Sequence, residues 1–121
     1  ILIGNEKYAP KLTSENIKID WNKSLDLIEK RIRGLSPSPG AWTFFINDNN
    51  KSRMKIIQSS VIYVNHNNEL FKIIEKDGNI LISHNEGYLK CEEIQLENKR
   101  KMKAKSLLNG YKFSGNSFVL P

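Results

Sequence analysis

The stretch IRGLSPSPGAW, residues 32–42, joins two kinds of sequence and decides the fold. Apolar residues recur at helical spacing before it and alternate as in β-strands after it. Pro37 and Pro39 each fix their own φ angle and push the preceding serine out of the α region. We therefore predict that Gly34, in the left-handed conformation, ends a helix. Residues 35–39 should then form a stiff extended elbow that leads into a sheet.

An amphipathic helix is predicted to lead into this elbow. Asn22 is a suitable N-cap residue, and the helical pattern continues to about Arg33. One apolar stripe runs along the segment and comprises Leu25, Ile28, Ile32 and Leu35. This stripe is the face that we expect the helix to bury against the sheet.

Short β-type segments follow the elbow, separated by turn residues such as Asp77-Gly78. Strands are predicted at residues 42–46, 53–64, 70–75, 80–84, 88–96 and 118–120, with a short helix at 105–109. The apolar side chains of the second strand change faces near Ser59-Ser60, which indicates a bulge, and the fifth strand shows a second change. We therefore predict a mainly β fold: a small OB-like β-barrel of about five to six strands, with a leading amphipathic helix and a short C-terminal helix.

Length and charge restrict the function classes. With 121 residues the chain is long enough for one domain with a single core. Its net charge of +6 and pI near 9.5 favour a polyanionic partner. The lone cysteine, Cys91, excludes an internal disulfide and indicates a reducing compartment. No apolar run approaches the roughly 20 residues of a membrane span, so no membrane partner is expected. Because there is no initiating methionine, we expect a fragment of a longer protein.

No catalytic constellation and no metal site is predicted. His66 and His84 lie beside polar loops without a carboxylate or cysteine at ligand spacing, so surface histidines are expected. Cys91 falls on the apolar face of a strand and is interpreted as a small core residue. Trp42 and Phe44 share one strand face, and we interpret them as core residues rather than as rings that stack on bases.

A basic run near the end of the chain is the functional signal. Five cations lie within seven residues, with no acid among them: Lys99, Arg100, Lys101, Lys103 and Lys105. Clustered cations bind phosphates by releasing counterions, so the run favours a nucleic-acid partner. A solvated surface loop remains the alternative. Further cations lie in the N-terminal segment, which includes Lys11, and around the second strand, which includes Lys55.

Several phrases, in order along the chain, resemble the C-terminal domain of methionyl-tRNA formyltransferases. They are Tyr-Ala-Pro-Lys-Leu at 8–12, Ile19-Asp20-Trp21, residues 32–43, Met54-Lys55-Ile56, residues 99–104 and Leu107-Leu108-Asn109-Gly110. Residues 32–43 carry the most specific match. The sequence departs from the family pattern at Ser38, where the family has tryptophan, and at Asn98, where it has glycine. Asparagine tolerates left-handed backbone, so we expect the turn at Asn98 to survive.

The resemblance implies a parent enzyme that transfers a formyl group from 10-formyltetrahydrofolate to methionyl-initiator-tRNA. Its catalytic residues belong to an N-terminal domain that this chain lacks, so the fragment should bind no cofactor and be inactive alone. Residues 1–18 would be an interdomain linker remnant and residues 19–121 the OB-like domain. The resemblance assigns tRNA binding to Lys11, Lys99, Arg100 and Lys101, with Lys103 and Lys55 as weaker candidates. The expected partners are initiator tRNA and the catalytic domain, for a monomer in the bacterial cytoplasm.

Two other interpretations remain open. Related C-terminal domains occur in formyltetrahydrofolate dehydrogenases and sugar-nucleotide formyltransferases, where the barrel would be structural and the basic run a solvated face. An independent barrel that binds single-stranded nucleic acid is the third interpretation, and it would need exposed aromatic side chains on one sheet face.

Overall fold

An antiparallel sheet of seven strands is the main element of residues 16–121, the part of the chain that the computed structural model describes. The elements in order are helix α1 (Leu25–Leu35), β1 (Ala41–Asn47), β2 (Asn50–Tyr63), β3 (Ile73–Lys76), β4 (Asn79–His84), β5 (Gly87–Leu96), β6 (Met102–Lys103), helix α2 (Ala104–Leu108) and β7 (Phe118–Val119). The strand order is β3-β4-β5-β2-β1-β7, and β6 pairs with β5. Neither helix of this described part has the length and apolar character that a membrane span requires.

The two edges of the sheet approach each other through the C-terminal segment. Lys72 forms an isolated antiparallel bridge with Phe118. The backbone N–H of Ile73 donates to the carbonyl of Ser117 at 3.0 Å. These contacts almost close the sheet into a barrel, which removes most of its free edge. The predicted mainly β, OB-like barrel with a leading helix and a short C-terminal helix is confirmed.

The two predicted changes of strand face belong to one irregularity. The pairing of β2 with β5 shifts between Ile56 and Ser59, and it passes over Ile57 on β2 and Glu92 on β5. Ile56 and Ile57 are consecutive, yet both are buried. The bulge therefore exists, slightly before the predicted position, and it bends the long second strand around the barrel.

Helix α1 begins two residues later and ends later than the sequence predicted. Ser24, and not Asn22, is the N-cap: its Oγ accepts a hydrogen bond from the N–H of Leu27 at 3.3 Å. Gly34 does not end the helix, which continues to Leu35. Leu35 belongs to the predicted apolar stripe, which is buried along its whole length. Burial of this last residue outweighs the local preference of glycine for a helix end.

The elbow is a turn and not the extended segment that was predicted. The N–H of Gly40, whose φ is +87°, donates to the carbonyl of Leu35 at 2.9 Å and closes the turn. The hydroxyl of Ser36 contacts the carbonyl of Ile32 at 2.9 Å and also hydrogen-bonds to the carbonyl of Ile57. The elbow is therefore attached to the bulge of β2, which explains how the helix is held against the barrel.

The prediction of surface histidines is wrong for His84, which is buried at the end of β4. Its Nδ1 accepts a hydrogen bond from the N–H of Glu86 at 3.1 Å. The ring proton therefore lies on Nε2, which donates to the carbonyl of Lys23 at 2.8 Å. His84 ties the β4–β5 turn to the start of α1, a long-range contact that local polarity could not indicate.

Candidate nucleic-acid interface

The first hairpin presents alternate side chains to opposite sides of the barrel wall. Thr43 and Phe45 of β1 are buried within the barrel. The side chains on the other face of β1 are paired with cations of β2: Trp42, which is buried, with Lys55, Phe44 with Arg53 and Ile46 with Lys51. We call this row of residues the outer β1–β2 face. It places three cations of one strand beside two aromatic rings.

Lys55 connects the outer β1–β2 face with the basic run. It is half-buried, and its Cδ lies 3.2 Å from the point where a Cβ on Gly40 would stand, so its apolar stem rests on the elbow. On its other side Lys55 is paired with Gln95 of β5. The amide Nε2 of Gln95 donates to the carbonyl of Lys99 at 2.8 Å. Lys55 and Lys99 are thus positioned on the same side of the barrel.

The basic loop, residues 98–101, leaves β5 through a tight turn. Asn98 has φ +64°, so the left-handed backbone expected at this departure from the family pattern is confirmed. The N–H of Lys99 donates to the carbonyl of Leu96 at 3.1 Å. Lys99, Arg100 and Lys101 are exposed, and no carboxylate within residues 16–121 forms an ion pair with them. Their charges are available to an anionic partner.

Lys103 has different surroundings from Lys99, Arg100 and Lys101. It lies on β6, where it is paired with Glu93 of β5. It also lines a groove together with Asp77, Glu92 and Lys105. Carboxylates in this groove reduce its attraction for phosphate. Lys11 lies outside the described residues, and its assignment stays a prediction.

The sequence interpretation missed how the cations of the hairpin are held. The Nζ of Lys51 lies 4.2 Å from the centroid of the Phe44 ring, and the Cζ of Arg53 lies 4.3 Å from the centroid of Trp42. Lys18 adds a third cation, with its Nζ 5.2 Å from the Phe44 centroid. The sequence did carry a signal for these contacts. Trp42 and Phe44 occupy alternate positions of β1, and Lys51, Arg53 and Lys55 occupy alternate positions of β2. This pattern predicts the contacts only when the register of the hairpin is known.

A shallow groove of about 470 Å³ runs beside these residues. Its lining includes Ile17, Pro39, Trp42, Arg53, Lys55 and Asn98. The outer β1–β2 face and the start of the basic loop therefore border one concave surface.

Comparison with known proteins identifies the domain. The family model described as "Formyl transferase, C-terminal domain" matches residues 11–112. The chain belongs to this family. The resemblance recognised in the sequence is confirmed.

Curated relatives of this formyl transferase C-terminal domain are considerably longer. The methionyl-tRNA formyltransferase of Flavobacterium johnsoniae is 40% identical over 113 residues, which cover 93% of this chain and 36% of the relative. The methionyl-tRNA formyltransferase of Phocaeicola vulgatus is 32% identical over 113 residues, 92% of this chain and 35% of the relative. The chain spans about a third of the length of these relatives.

A solved structure shares the fold of this formyl transferase C-terminal domain. A variant of HypX from Aquifex aeolicus aligns with a TM-score of 0.60 at 15% identity. The alignment covers 88% of this chain and 19% of that protein. At this level of identity the likeness concerns the fold alone.

Residues at the predicted domain boundary contact the barrel. The N–H of Trp42 donates to the carbonyl of Ile17 at 3.3 Å, and the N–H of Ile19 donates to the carbonyl of Trp42 at 2.8 Å. Ile17 is buried, and Lys18 forms a parallel bridge with Trp42. This pairing places the side chain of Lys18 at the outer β1–β2 face of the formyl transferase C-terminal domain.

Proposed function

We propose that this chain is the C-terminal, tRNA-binding part of a methionyl-tRNA formyltransferase. The parent enzyme would transfer a formyl group from 10-formyltetrahydrofolate to methionyl-initiator-tRNA, with the chemistry in a catalytic domain outside this chain. The family membership and the names of the relatives support the parent activity. The observation that carries the binding role is the grouping of Lys55 with the exposed basic loop through Gln95.

The basic loop supplies most of the proposed attraction. Lys99, Arg100 and Lys101 displace counterions from the phosphates, and Lys55 adds to the same field. Lys11 is proposed as a further phosphate contact on the resemblance alone. Lys103 contributes less because Glu93 and Glu92 are near it. The proposed protein acts as a monomer in the bacterial cytoplasm, where initiator tRNA is formylated.

The test is a titration of the 121-residue chain with an initiator tRNA transcript at several salt concentrations. In one variant Lys99, Arg100 and Lys101 are changed to Glu. In the matched control Lys72, Lys76 and Lys112, which line a groove beside β3, are changed to Glu. Both variants lose the same net charge.

The loop variant should bind far more weakly, and the slope of log K against log salt should fall by about two to three, since each lost phosphate contact removes about 0.7–0.9. The control variant should keep most of the slope. Equal affinity and slope for the loop variant and the unchanged chain would overturn the assignment. That result would favour a structural domain of another folate-dependent formyltransferase or of a formyltetrahydrofolate dehydrogenase.

A second measurement tests whether catalysis requires a domain outside this chain. The 121-residue chain, supplied with methionyl-initiator-tRNA and 10-formyltetrahydrofolate, should yield no formylmethionyl-tRNA. Formylation by a preparation free of other proteins would show that the proposed separation of catalysis from binding is wrong.

A further inference from the structure

The cations of β2 form a regular row on the outer β1–β2 face. Lys51, Arg53 and Lys55 occupy alternate positions of the strand, so all three project to the same side. Positions two residues apart on a strand are separated by about 6.7 Å. Neighbouring phosphates along a nucleic-acid strand have a comparable separation. The row can therefore meet successive phosphates of one strand.

Aromatic rings hold these cations in place. Phe44 has Lys51 at 4.2 Å, Lys18 at 5.2 Å and Arg53 at 5.2 Å from its centroid. Trp42 packs edge-on against Phe44, with a centroid distance of 4.8 Å, and supports Arg53. A ring face restricts a cation without neutralising it, so the charge remains available while its freedom of motion is reduced.

One acidic side chain, Glu97, lies beside these cations without forming an ion pair with them. Within residues 16–121, no carboxylate forms an ion pair with Lys18, Lys51 or Arg53. Glu97 lines the same groove as Arg53 and Lys55, and its Oε1 accepts from the backbone N–H of Arg53 at 2.9 Å and from the hydroxyl of Ser52 at 3.2 Å. This carboxylate lowers the net positive charge beside Arg53, whose guanidinium stays over the Trp42 ring.

The rings themselves are unsuited to stack on bases. Trp42 is 5% exposed, and the guanidinium of Arg53 lies over it. Phe44 is half-buried between cations. Contacts made by this face would therefore go to the backbone and would be independent of base sequence.

We propose that the outer β1–β2 face is a second contact surface, which binds the sugar–phosphate backbone of the RNA through Lys51, Arg53 and Lys18. The proposal rests on the proposed function for the class of partner. Lys55 belongs to both surfaces, so the two form one track from Lys51 across the groove to the basic loop. A track of this length contacts more of a folded RNA than the basic loop alone.

The first test changes Lys51 and Arg53 to Ala in the 121-residue chain and measures binding of the initiator tRNA transcript. Affinity should fall about 10- to 40-fold at 0.1 M salt, and the salt slope should fall by about 1.5, because two counterion-releasing contacts are lost. The matched control changes Lys76 on β3 and Lys90 on β5 to Ala, because neither is in register with Lys51 or Arg53, and both values should stay near those of the unchanged chain. Thermal unfolding of each variant verifies that the barrel is intact.

The second test, Phe44→Leu, keeps every charge and removes the ring that restrains the cations. The salt slope should stay the same, and affinity should fall about two- to fivefold, because the three cations around Phe44 lose a ring that restrains them. A large loss for Phe44→Leu together with no loss for the Lys51/Arg53 variant would indicate base stacking and overturn the proposal.

The combined outcomes separate this inference from the proposed function. Loss of binding in the basic-loop variant, with unchanged affinity and slope in the Lys51/Arg53 variant, would reject the second surface and leave the proposed function standing. Unchanged binding in both variants would reject both. Loss in the Lys51/Arg53 variant alone would support the outer face and reject the basic-loop assignment.

Discussion

The indole Nε1–H of Trp21 donates a hydrogen bond to Oγ1 of Thr43 at 2.8 Å, and both side chains are fully buried. Trp21 precedes helix α1, whereas Thr43 lies in the middle of β1. The Thr43 hydroxyl in turn donates to the carbonyl of Phe44 at 3.2 Å. A short chain of hydrogen bonds therefore fixes the entry to the helix inside the barrel, where an unpaired polar group would be costly.

Thr43→Val tests this contact because it keeps the shape of the side chain and removes the acceptor. The buried N–H of Trp21 is then unpaired, and the free energy of unfolding should fall by about 1–3 kcal/mol, as measured by urea denaturation. The control is Trp21→Phe, alone and combined with Thr43→Val. In the double variant no donor is left unpaired, so the losses should be less than additive by about 1 kcal/mol. Strict additivity would show that the hydrogen bond contributes nothing.

Two glycines should respond in opposite directions to replacement by alanine. A Cβ on Gly87, where φ is +150°, would lie 1.9 Å from the carbonyl oxygen of Ile62, so backbone must move. Gly87→Ala should lower the free energy of unfolding by about 3 kcal/mol or more. Gly34 lies in α1 with nothing within 4 Å of a Cβ, and Gly34→Ala should raise it by about 0.5–1 kcal/mol. Similar melting temperatures for the two variants would contradict the packing described at Gly87.

The sequence correctly predicted the features that depend on the pattern of neighbouring residues. These features are the apolar stripe of α1, the hairpin at Asp77-Gly78 and the change of strand face. Each depends on residues that are close together in the chain. The closure of the barrel was inferred from the number and order of strands. Strand β6, with two residues, was missed because so short a segment carries no period of its own.

Long-range contacts decided the features that the sequence interpretation missed. Helix α1 passes through Gly34 because Leu35 is buried, and His84 is buried because it hydrogen-bonds to the carbonyl of Lys23 far away in sequence. The candidate site likewise combines features that local sequence predicts with features that depend on long-range pairing. Its cations could be listed from the sequence, whereas the link from Lys55 to the basic loop through Gln95 depends on the register of β2 and β5.

Cys91 should be unreactive in the folded protein. Burial, together with the neighbouring Glu92, raises the pKa of its thiol from 9.0 to about 12. Because the thiolate is the reactive form, a disulfide reagent at pH 8 should modify Cys91 at the rate of unfolding, and much faster in urea. Rapid modification of the native chain would contradict its buried position.

The same shift predicts a loss of stability in alkali. Between pH 9 and 12 the thiol ionises in the unfolded chain and stays neutral in the folded one, so Cys91 stabilises the fold fully below pH 9 and progressively less above it. The free energy of unfolding should fall by up to about 1.4 kcal/mol per pH unit from this group. Cys91→Ala serves as the control, since its unfolding free energy should fall less steeply over the same range. Parallel curves for the two proteins would reject the shift.

Glu86 should stabilise helix α1 although it lies on the β4–β5 turn. Its Oε1 accepts a hydrogen bond from the backbone N–H of Leu25, the first residue of the helix, at 2.8 Å. At the N-terminus of a helix the backbone N–H groups lack intrahelical partners, and the helix dipole favours a negative charge. Glu86→Ala should lower the free energy of unfolding by about 1–2 kcal/mol, and Glu86→Gln, which keeps an acceptor, by about half as much. Glu75→Ala, an exposed change on β3, should have an effect within about 0.5 kcal/mol. If Glu86→Ala were no more destabilising than Glu75→Ala, the turn would not hold the helix, and the attachment of α1 to the barrel would depend on its apolar stripe and the elbow alone.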